Sequence, residues 1–411
     1  MSVGKKYELL VESTETKGRL DVVFLIASFF PKPTGATYSA FRLAKSLKML
    51  GVDVTFVLTN PYDARERFQD YDGFATVYFD LQSPGKVRKT ANLFHFTRFV
   101  IRNRSKFRIY HIHGGGHINV FLAWWLKMLG RQSILKVTSD GWDSPDGVET
   151  SKWGFMLKRL YRRIPAIIVM TSGQEIKLKN WGYQGRLEVI PNGVDVDAFS
   201  PSTSSEKSLF KAENQIPQQS FLLCYAGYLG LVKGTDLLFL TWSKLHEKYH
   251  NLFLFLVGDY VHLEANLEFV AKGIFNEAGA EMPPLHLDKI RYIGHTDLVS
   301  YYIRNCDLFI FPSRQEGFGT VLLEAMSCGV PCVTNDIKGV TRDIIPDEQY
   351  GKIVDARDIE EFMRCISQFI DDGEVRESVG TFARGRVVET FSSTKVAQRC
   401  YDFYKRILAV Q

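Results

Sequence analysis

Hydrophobic residues recur along this chain in short continuous runs that alternate with stretches of helical spacing. Asp21–Phe30 is one such run, the pattern of a strand that is buried on both faces of a parallel sheet. After the turn Pro31–Gly35, apolar residues recur at helical spacing in Ala40–Leu50, and Val52–Thr59 is the next continuous run. The pattern predicts a βαβ unit at the start of the chain.

The same alternation continues to the end of the sequence. Further strands are predicted at Ile109–His113, Ser133–Thr138, Ala166–Thr171, Leu187–Ile190, Phe221–Ala226, Leu252–Val257, Arg291–Ile293, Leu308–Pro312 and Pro331–Thr334. Ile359–Ile370 has one apolar face and predicts a helix. The polar segment Asn192–Ser208 divides the two runs and is interpreted as a linker. We therefore predict an α/β protein with two doubly wound domains, residues 1–200 and 201–390, and a site in a cleft between them.

Composition narrows the class of protein further. Of 411 residues, 45% are hydrophobic and 24% are charged, which is enough for full cores and excludes a disordered chain. The longest apolar runs, such as Val22–Phe30, hold about nine residues, far fewer than the roughly 20 that span a bilayer. The opening residues show no secretion signal, so we expect a cytoplasmic protein.

Charge and cysteine content differ between the two halves. Residues 1–200 hold 29 basic and 18 acidic side chains, whereas residues 201–411 hold 22 and 28, which implies different partners for the halves. The cysteines all lie in the second half without a C-x-x-C pair, and they are predicted to be free buried thiols: Cys224, Cys306, Cys328, Cys332, Cys365 and Cys400.

The segment after the predicted strand Leu308–Pro312 has the most informative chemistry. A short loop contains Glu316 and two glycines, and a helix is predicted from Thr320. The first amides of a helix are unpaired donors at the positive end of its dipole, so they form an anion site suited to a diphosphate. Glu316 and Glu324 would repel phosphate but can hold sugar hydroxyls, at roughly 1.5–3 kcal/mol for each charge-assisted bond. The residues alone leave open a plain helix cap with two solvated glutamates.

Glu316 and Glu324 stand in the pattern E-G-F-G-x-x-x-L-E-A-M-x-x-G-x-P. This E-x7-E stretch resembles that of the retaining family-four glycosyltransferases of the GT-B fold. Weaker pieces follow the family's order along most of the chain: Pro33–Gly35, Ile190–Asp195 with Phe199, Ala226–Gly227, Lys233–Gly234, Val257–Gly258 and Ile293–Gly294.

The resemblance implies a GT-B fold, with two Rossmann-like domains facing across a cleft and a C-terminal helix, about residues 391–411, that packs back onto the first domain. It also implies transfer of a hexose from a nucleoside-diphosphate sugar to a hydroxyl of a glycan or lipid-linked acceptor, with retained anomeric configuration. No metal and no cofactor are expected. Two alternatives stay open: a sugar-nucleotide epimerase on the same fold, and a non-catalytic sugar-nucleotide-binding protein.

Roles for individual residues follow from the same resemblance. Glu324 is expected to hold the donor ribose, Glu316 the hydroxyls of the transferred sugar, and Lys233 the diphosphate as the leaving group departs. The full donor-binding set is Gly35, Gly227, Lys233, Gly258, Gly294, Arg314, Glu316, Gly317, Phe318, Gly319, Thr320, Val321 and Glu324.

The chain departs from the family pattern at two places. The arginine expected just after Gly227 is absent, and Arg314 is its candidate substitute. The histidine expected after the strand Ser133–Thr138 is also absent. Asp140 there is a candidate catalytic base and Trp142 a candidate sugar platform, although a turn-forming Asp and a packing Trp are the plain alternatives.

His111 and His113 end another predicted strand, before three glycines. We expect His113 to lie on the acceptor side, on the argument that strand alternation hides one of the pair; a buried core histidine is the equal alternative. His-x-His lacks a persuasive third zinc ligand, no G-x-S-x-G nucleophile accompanies the glycines, and the two D-x-D matches, Asp70–Asp72 and Asp195–Asp197, are interpreted as accidental. No G-x-G-x-x-G follows the first strand, so nicotinamide binding is not expected.

Lys86–Arg108 is basic, contains no acid and has interleaved apolar residues. Such a segment can lie on an anionic membrane surface, which would make the protein peripheral on the inner face of a membrane. The alternative is a helix packed on the sheet with a solvated basic face. No nucleic-acid-binding motif supports the third possibility.

Overall fold

The computed structural model describes residues 20–30, 34–60, 68–81, 86–139, 141, 144–150, 154–260 and 266–409. The chain divides into two compact units, Met1–Gly193 with Ser393–Gln411, and Val194–Ser392. The sequence analysis predicts the boundary between the domains at residue 200. It predicts that the chain rejoins the first domain near residue 391. The prediction of an α/β protein with two mainly parallel sheets is confirmed.

The first unit contains, within the described residues, an eight-stranded sheet in the order β3-β4-β2-β1-β5-β6-β7-β8. Only β3 runs antiparallel to its neighbour, β4. The strands are β1 Leu20–Ile26, β2 Val52–Leu58, β3 Phe68–Tyr71, β4 Phe74–Tyr78, β5 Phe107–His113, β6 Gln132–Lys136, β7 Ala166–Val169 and β8 Arg186–Val189. The helices among them are α1 Gly35–Met49, α2 Lys86–Arg102, α3 His117–Met128, α4 Pro145–Glu149, α5 Gly154–Tyr161 and α6 Ser172–Asn180.

The second unit contains a six-stranded parallel sheet in the order β11-β10-β9-β12-β13-β14, counted over the described residues. Its strands are β9 Phe221–Ala226, β10 Leu252–Val257, β11 Ile290–Gly294, β12 Leu308–Phe311, β13 Cys332–Asn335 and β14 Lys352–Val354. Its helices are α7 Ser204–Glu213, α8 Thr235–Lys248, α9 Leu267–Ala278, α10 Val299–Asn305, α11 Thr320–Ser327, α12 Thr341–Ile344, α13 Ile359–Asp371 and α14 Gly373–Arg386.

Strand β1 is continuously apolar because both faces of its sheet are covered. Val23 and Leu25 pack into one core and Val22, Phe24 and Ile26 into another, since successive side chains of a strand point to opposite faces. The strand order reverses between β1 and β5 in the first sheet and between β9 and β12 in the second. These reversals are the places where doubly wound sheets bind ligands, beyond the carboxyl ends of the strands.

The last helix, α15 Ser393–Leu408, belongs to the first unit and packs on α1. Ala397 and Cys400 enter the same core as Phe24. The Tyr404 hydroxyl lies 2.6 Å from His111 Nδ1, so the C-terminal helix is tied to the middle of the first sheet.

Three local features differ from the sequence predictions. The β3–β4 hairpin, which contains Asp70–Asp72, was not predicted, and Asp72 and Gly73 in its turn both have positive φ. Strand β14 was not predicted because it has only three residues. The proposed linker Asn192–Ser208 contains the start of α7, where Thr203 and Glu206 form a reciprocal capping box.

All six cysteines are free and buried, as predicted. None of the described helices combines the length and apolar character needed to cross a membrane.

Candidate functional site

Three glycines follow adjacent strands of the second sheet, close to its reversal. Gly227 comes after β9, Gly258 after β10, and Gly294 ends β11. Gly258 N donates to Gly294 O at 2.9 Å, and a Cβ on Gly258 would lie 2.0 Å from Gly227 O. The backbones therefore approach so closely that only glycine fits at residue 258.

Lys233, predicted to hold the diphosphate, and Glu316, predicted to hold hydroxyls of the transferred sugar, form an ion pair. Lys233 Nζ donates to Glu316 Oε1 at 2.7 Å, and Ser313 Oγ donates to the same oxygen at 2.8 Å. The Glu316 side chain is 12% exposed and that of Lys233 is 28% exposed. Burial raises the pKa of Tyr225, and the nearby Glu316 charge adds to that rise. The structure thus joins the loop after β9 to the loop after β12 through a partly buried charge pair.

Gly234 makes this meeting of the two loops possible. It has φ +68°, and a Cβ there would lie 2.1 Å from Pro312 O. Arg314 N donates to Val232 O at 2.9 Å, which extends the contact between the loops. Any larger residue at position 234 would push apart the segments that carry Lys233 and Glu316.

Arg314 was predicted as a substitute cation for the diphosphate, and the structure gives it another partner. Its guanidinium holds both carboxylate oxygens of Asp236 at 2.6 Å, and this interaction raises the pKa of Arg314. Asp236 lies in the first turn of α8 and has an almost buried side chain. In this arrangement Arg314 fastens the loop to α8, while Lys233 is the cation beside Glu316.

Helix α11 begins directly after the loop, as the sequence predicts. Gly319 is its N-cap residue, without a side-chain cap bond. Phe318 is buried beside Phe391, with ring centroids 6.2 Å apart, so its side chain anchors the loop. Thr320, Val321 and the half-buried Glu324 then lie in the first turns of the helix. Asn335 braces the same loop, because its Nδ2 donates to Ser313 O at 2.9 Å.

A pocket of about 470 Å³ lies in the first unit where its strand order reverses. It is lined by the residues that follow β1, by the start of α1 with Thr34 and Thr37, by His113 and Gly114, by the start of α3, and by Thr138. Gly35 is the first residue of α1, and no described residue comes within 4 Å of a Cβ built on it.

His111 and His113 lie on one face of β5, and the alternation argument used to separate them was wrong. Residues two apart in a strand share a face, and the two rings stack with centroids 4.4 Å apart. Both side chains are buried, and burial holds the pKa of each well below 6.5. They differ in surroundings: His113 lines the pocket, whereas His111 contacts Tyr404.

Lys136, which the sequence analysis missed, is buried beside this pair. It ends β6 opposite His113, and its Nζ donates to Asn192 Oδ1 at 2.8 Å. Burial lowers its pKa to about 8. Among the described residues it has no carboxylate partner. A lysine inside a predicted buried strand was the available signal, since isolated buried charges are rare.

Asp140 and Trp142 lie outside the described residues, so their predicted roles remain predictions. No three His, Cys, Asp or Glu side chains in the described part of the chain cluster as metal ligands.

Helix α2 combines packed and exposed apolar residues. Phe96 and Phe99 are buried in the core of the first unit. The outer face has exposed apolar residues, Phe94 at 65% and Ile101 at 52%, and the exposed arginines Arg98 and Arg102. One face of α2 therefore packs on the sheet, and the other presents arginines with apolar side chains. Docking of this face on a membrane remains a prediction.

Comparison with known families assigns both units. Residues 34–193 match the model of the glycosyl transferase 4-like domain, and residues 206–386 match that of glycosyl transferases group 1. The capsular polysaccharide biosynthesis glycosyltransferase CapM of Staphylococcus aureus is 25% identical over 236 residues, 53% of this chain and 56% of the relative. The chain spans about half the length of the curated relatives it matches.

Solved structures share the fold over nearly the whole chain. Sucrose-phosphate synthase from Thermosynechococcus elongatus has a TM-score of 0.74 at 20% identity, covering 96% of this chain and 100% of its own. Anabaena Alr3699/HepE in complex with UDP-glucose has a TM-score of 0.72 at 17% identity, covering 94% and 100%. The GT-B fold implied by the E-x7-E resemblance is confirmed.

We expect Gly234→Ala to destabilise the protein more than Gly279→Ala. Both glycines have left-handed backbones, with φ +68° and +65°, but none of the residues that the structure describes lies within 4 Å of a Cβ on Gly279. The control should therefore cost about 1–2 kcal/mol of backbone strain, and Gly234→Ala a further 1–3 kcal/mol or so of overpacking. Urea unfolding measures both, and equal losses would contradict the contact with Pro312.

We expect Lys136 to make the free energy of unfolding rise with pH in the alkaline range. Its pKa of about 8 in the fold lies below the usual value near 10.4, so between these values the unfolded chain binds more protons and stability rises with pH. Urea unfolding of the wild type and Lys136→Met should show that this rise is lost in the variant. Lys127→Met, at an exposed position, should keep the wild-type profile. An unchanged profile in Lys136→Met would contradict the assignment.

Proposed function

The chain belongs to the group 1 glycosyltransferases of the GT-B fold, and we propose that it transfers a hexose from a nucleoside-diphosphate sugar to a hydroxyl of a glycan or lipid-linked acceptor with retained configuration. The observation that carries this proposal is the Lys233–Glu316 pair beside the start of α11. The cation suits the diphosphate of the donor, and the carboxylate suits the hydroxyls of its sugar. The helix N-terminus suits the negative charge that develops on the diphosphate as the glycosidic bond breaks.

Each group has one task in the proposed reaction. Glu316 accepts hydrogen bonds from hydroxyls of the transferred sugar, and Glu324 from the ribose. Lys233 and the first amides of α11 stabilise the charge that develops on the diphosphate as the glycosidic bond breaks. The acceptor oxygen attacks from the face that the diphosphate leaves, and the departing phosphate accepts its proton, so the sequence of steps calls for no metal ion.

The relatives favour this donor and this type of pathway. HepE was solved with UDP-glucose, and CapM is named for capsular polysaccharide biosynthesis. Arg314 is paired with Asp236, so the site has one cation fewer than the family pattern. This observation favours the alternative of a non-catalytic sugar-nucleotide-binding protein. An epimerase would consume the donor without transferring it.

A screen of UDP-, GDP- and ADP-sugars tests the proposal. Only a bound donor raises the melting temperature through ligand linkage. Incubation of that donor with candidate acceptors should release free nucleoside diphosphate and form a glycosylated product. Binding without either product would favour the non-catalytic alternative, and an altered sugar nucleotide without transfer would favour the epimerase.

Glu316→Gln and Glu324→Gln should each lower kcat/KM by about 10- to 100-fold, the loss expected when one charge-assisted hydrogen bond is removed. Both substitutions keep the size of the side chain, and the melting temperature should change little. Glu360→Gln is the matched control, because Glu360 is a 75% exposed residue in an ion pair with Lys244. Wild-type rates in both site variants would remove the assignment.

The outer face of α2 is proposed to dock on an anionic membrane surface. Exposed arginines attract anionic headgroups, and Phe94 and Ile101 can enter the interface between headgroups and acyl chains. The acceptor would then be reached at the lipid surface.

The double variant Arg98→Glu/Arg102→Glu should bind anionic vesicles at least about tenfold more weakly than the wild type, since each basic residue near the surface contributes about 1 kcal/mol. Added salt should weaken wild-type binding by screening. The control is Arg342→Glu/Arg357→Glu, at exposed positions of the second unit. If vesicles of phosphatidylglycerol do not sediment the wild type, or sediment both double variants equally, the α2 surface is not the docking site.

A further inference from the structure

The two oxygens of the Glu316 carboxylate have different surroundings. Oε1 accepts two hydrogen bonds, from Lys233 Nζ at 2.7 Å and from Ser313 Oγ at 2.8 Å. Oε2 accepts none from the part of the chain that the structure describes. The side chain is 12% exposed, so water can satisfy Oε2 only in part. A carboxylate oxygen in this position is an acceptor that a ligand hydroxyl can use.

The Ser313 hydroxyl is a buried donor that is directed at Glu316. Ser313 is fully buried, and its Oγ also lies 3.2 Å from Gln315 O and 3.4 Å from Val232 O. A hydroxyl has one hydrogen to donate. The Glu316 carboxylate is the closest of the three acceptors and the only charged one, and hydrogen bonds to charged groups are the stronger ones. We therefore assign the hydrogen to Glu316 Oε1.

The backbone that carries this hydroxyl is fixed from two sides. Asn335, at the end of β13, donates from Nδ2 to Ser313 O at 2.9 Å and accepts from Ala356 N on Oδ1 at 2.9 Å. On the next residue, Arg314 N donates to Val232 O at 2.9 Å. A serine side chain is short and reaches only what lies next to its backbone. The hydroxyl of Ser313 therefore stays with Glu316 as long as the loop keeps its shape.

Lys233, the other donor to Oε1, has more freedom. Its side chain is 28% exposed, and a lysine ammonium is carried on a flexible four-carbon stem. A diphosphate attracts the ammonium through charge-assisted hydrogen bonds. When Lys233 turns to the diphosphate of a donor, Ser313 is the protein group that still holds the carboxylate of Glu316.

We propose that Ser313 is a positioning residue for sugar transfer: its hydroxyl holds Oε1 of Glu316, so that Oε2 meets a hydroxyl of the transferred sugar while Lys233 serves the diphosphate. The inference rests on the proposed function and adds a rule of specificity. Oε2 can only accept, so the sugar must present a hydroxyl hydrogen to it. A nucleoside diphosphate without a sugar makes no use of Ser313.

The test compares the affinity for a sugar nucleotide with that for the bare nucleotide. Titration calorimetry gives the Kd of UDP-glucose and of UDP for the wild type and for Ser313→Ala. GDP-mannose with GDP, or ADP-glucose with ADP, replaces this pair if the wild type does not bind UDP-glucose. In Ser313→Ala, the Kd of the sugar nucleotide should rise about tenfold and that of the bare nucleotide less than about twofold. Equal changes in the two Kd values, or no change in either, would overturn the proposal.

A matched control and a second variant separate positioning from a loss of structure. Ser327 is also a fully buried serine, and its hydroxyl donates to Phe199 O at 2.6 Å, so Ser327→Ala should leave both Kd values as in the wild type. In a Glu316→Gln background, Ser313→Ala should raise the Kd of the sugar nucleotide by less than about twofold more, because the two residues act as a unit. A full, additive loss in that background would show that Ser313 does not act through Glu316.

Fluorinated donors test the rule of specificity. In each analogue one hydroxyl of the sugar is replaced by fluorine, which cannot donate a hydrogen bond. The wild type should bind at least one analogue about tenfold more weakly than the parent, and Ser313→Ala should show a smaller difference for that analogue. Equal affinity of the wild type for the parent and all analogues would contradict the contact with Oε2.

Failure of this inference is distinguishable from failure of the proposed function. Sugar transfer without a selective effect of Ser313→Ala would refute the positioning role and keep the glycosyltransferase. A selective effect in a protein that binds the sugar nucleotide but transfers no sugar would keep the role of Ser313 in holding the donor and refute the transfer. If the wild type binds none of the three sugar nucleotides, both are refuted.

Discussion

The candidate donor site depends on one close contact, between Gly234 and the carbonyl oxygen of Pro312. Because residue 234 has no side chain, the loop after β9 can press against the loop after β12, and Lys233 meets Glu316 at 2.7 Å. Strand order reverses between these two strands, so no helix crosses the space between their ends. The fold thus opens a crevice, and the glycine lets two charged side chains from distant parts of the sequence meet there.

The sequence was sufficient to predict the strands that are buried on both faces of a sheet. Continuous apolar runs such as β9 and β10 were predicted with the bounds that the structure shows. A strand that is buried on both faces contains only apolar residues, so the change to polar residues marks its ends. The β3–β4 hairpin and β14 were missed. These elements lie at sheet edges and are short, and their polar residues resemble those of loops.

Side-chain partners were harder to predict than elements, because pairs form between loops that are far apart in sequence. The spacing of Glu316 and Glu324 indicated the loop. The residues next to Arg314 in the sequence could not show that its guanidinium is paired with Asp236. The two histidines of β5 were assigned to different environments for a wrong reason, although a period of two places them on one face. Lys136 was overlooked because its neighbours made the strand appear wholly apolar.

The partly buried Lys233 and the buried Lys136 illustrate how one type of residue serves two different purposes. Lys233 has a carboxylate partner, so its charge is neutralised before any ligand arrives, and a diphosphate must compete with Glu316 unless sugar hydroxyls occupy that carboxylate at the same time. This coupling favours a ligand with both parts over free phosphate. Lys136 has only a neutral hydrogen-bond partner among the described residues, so no carboxylate offsets its burial, which lowers its pKa to about 8.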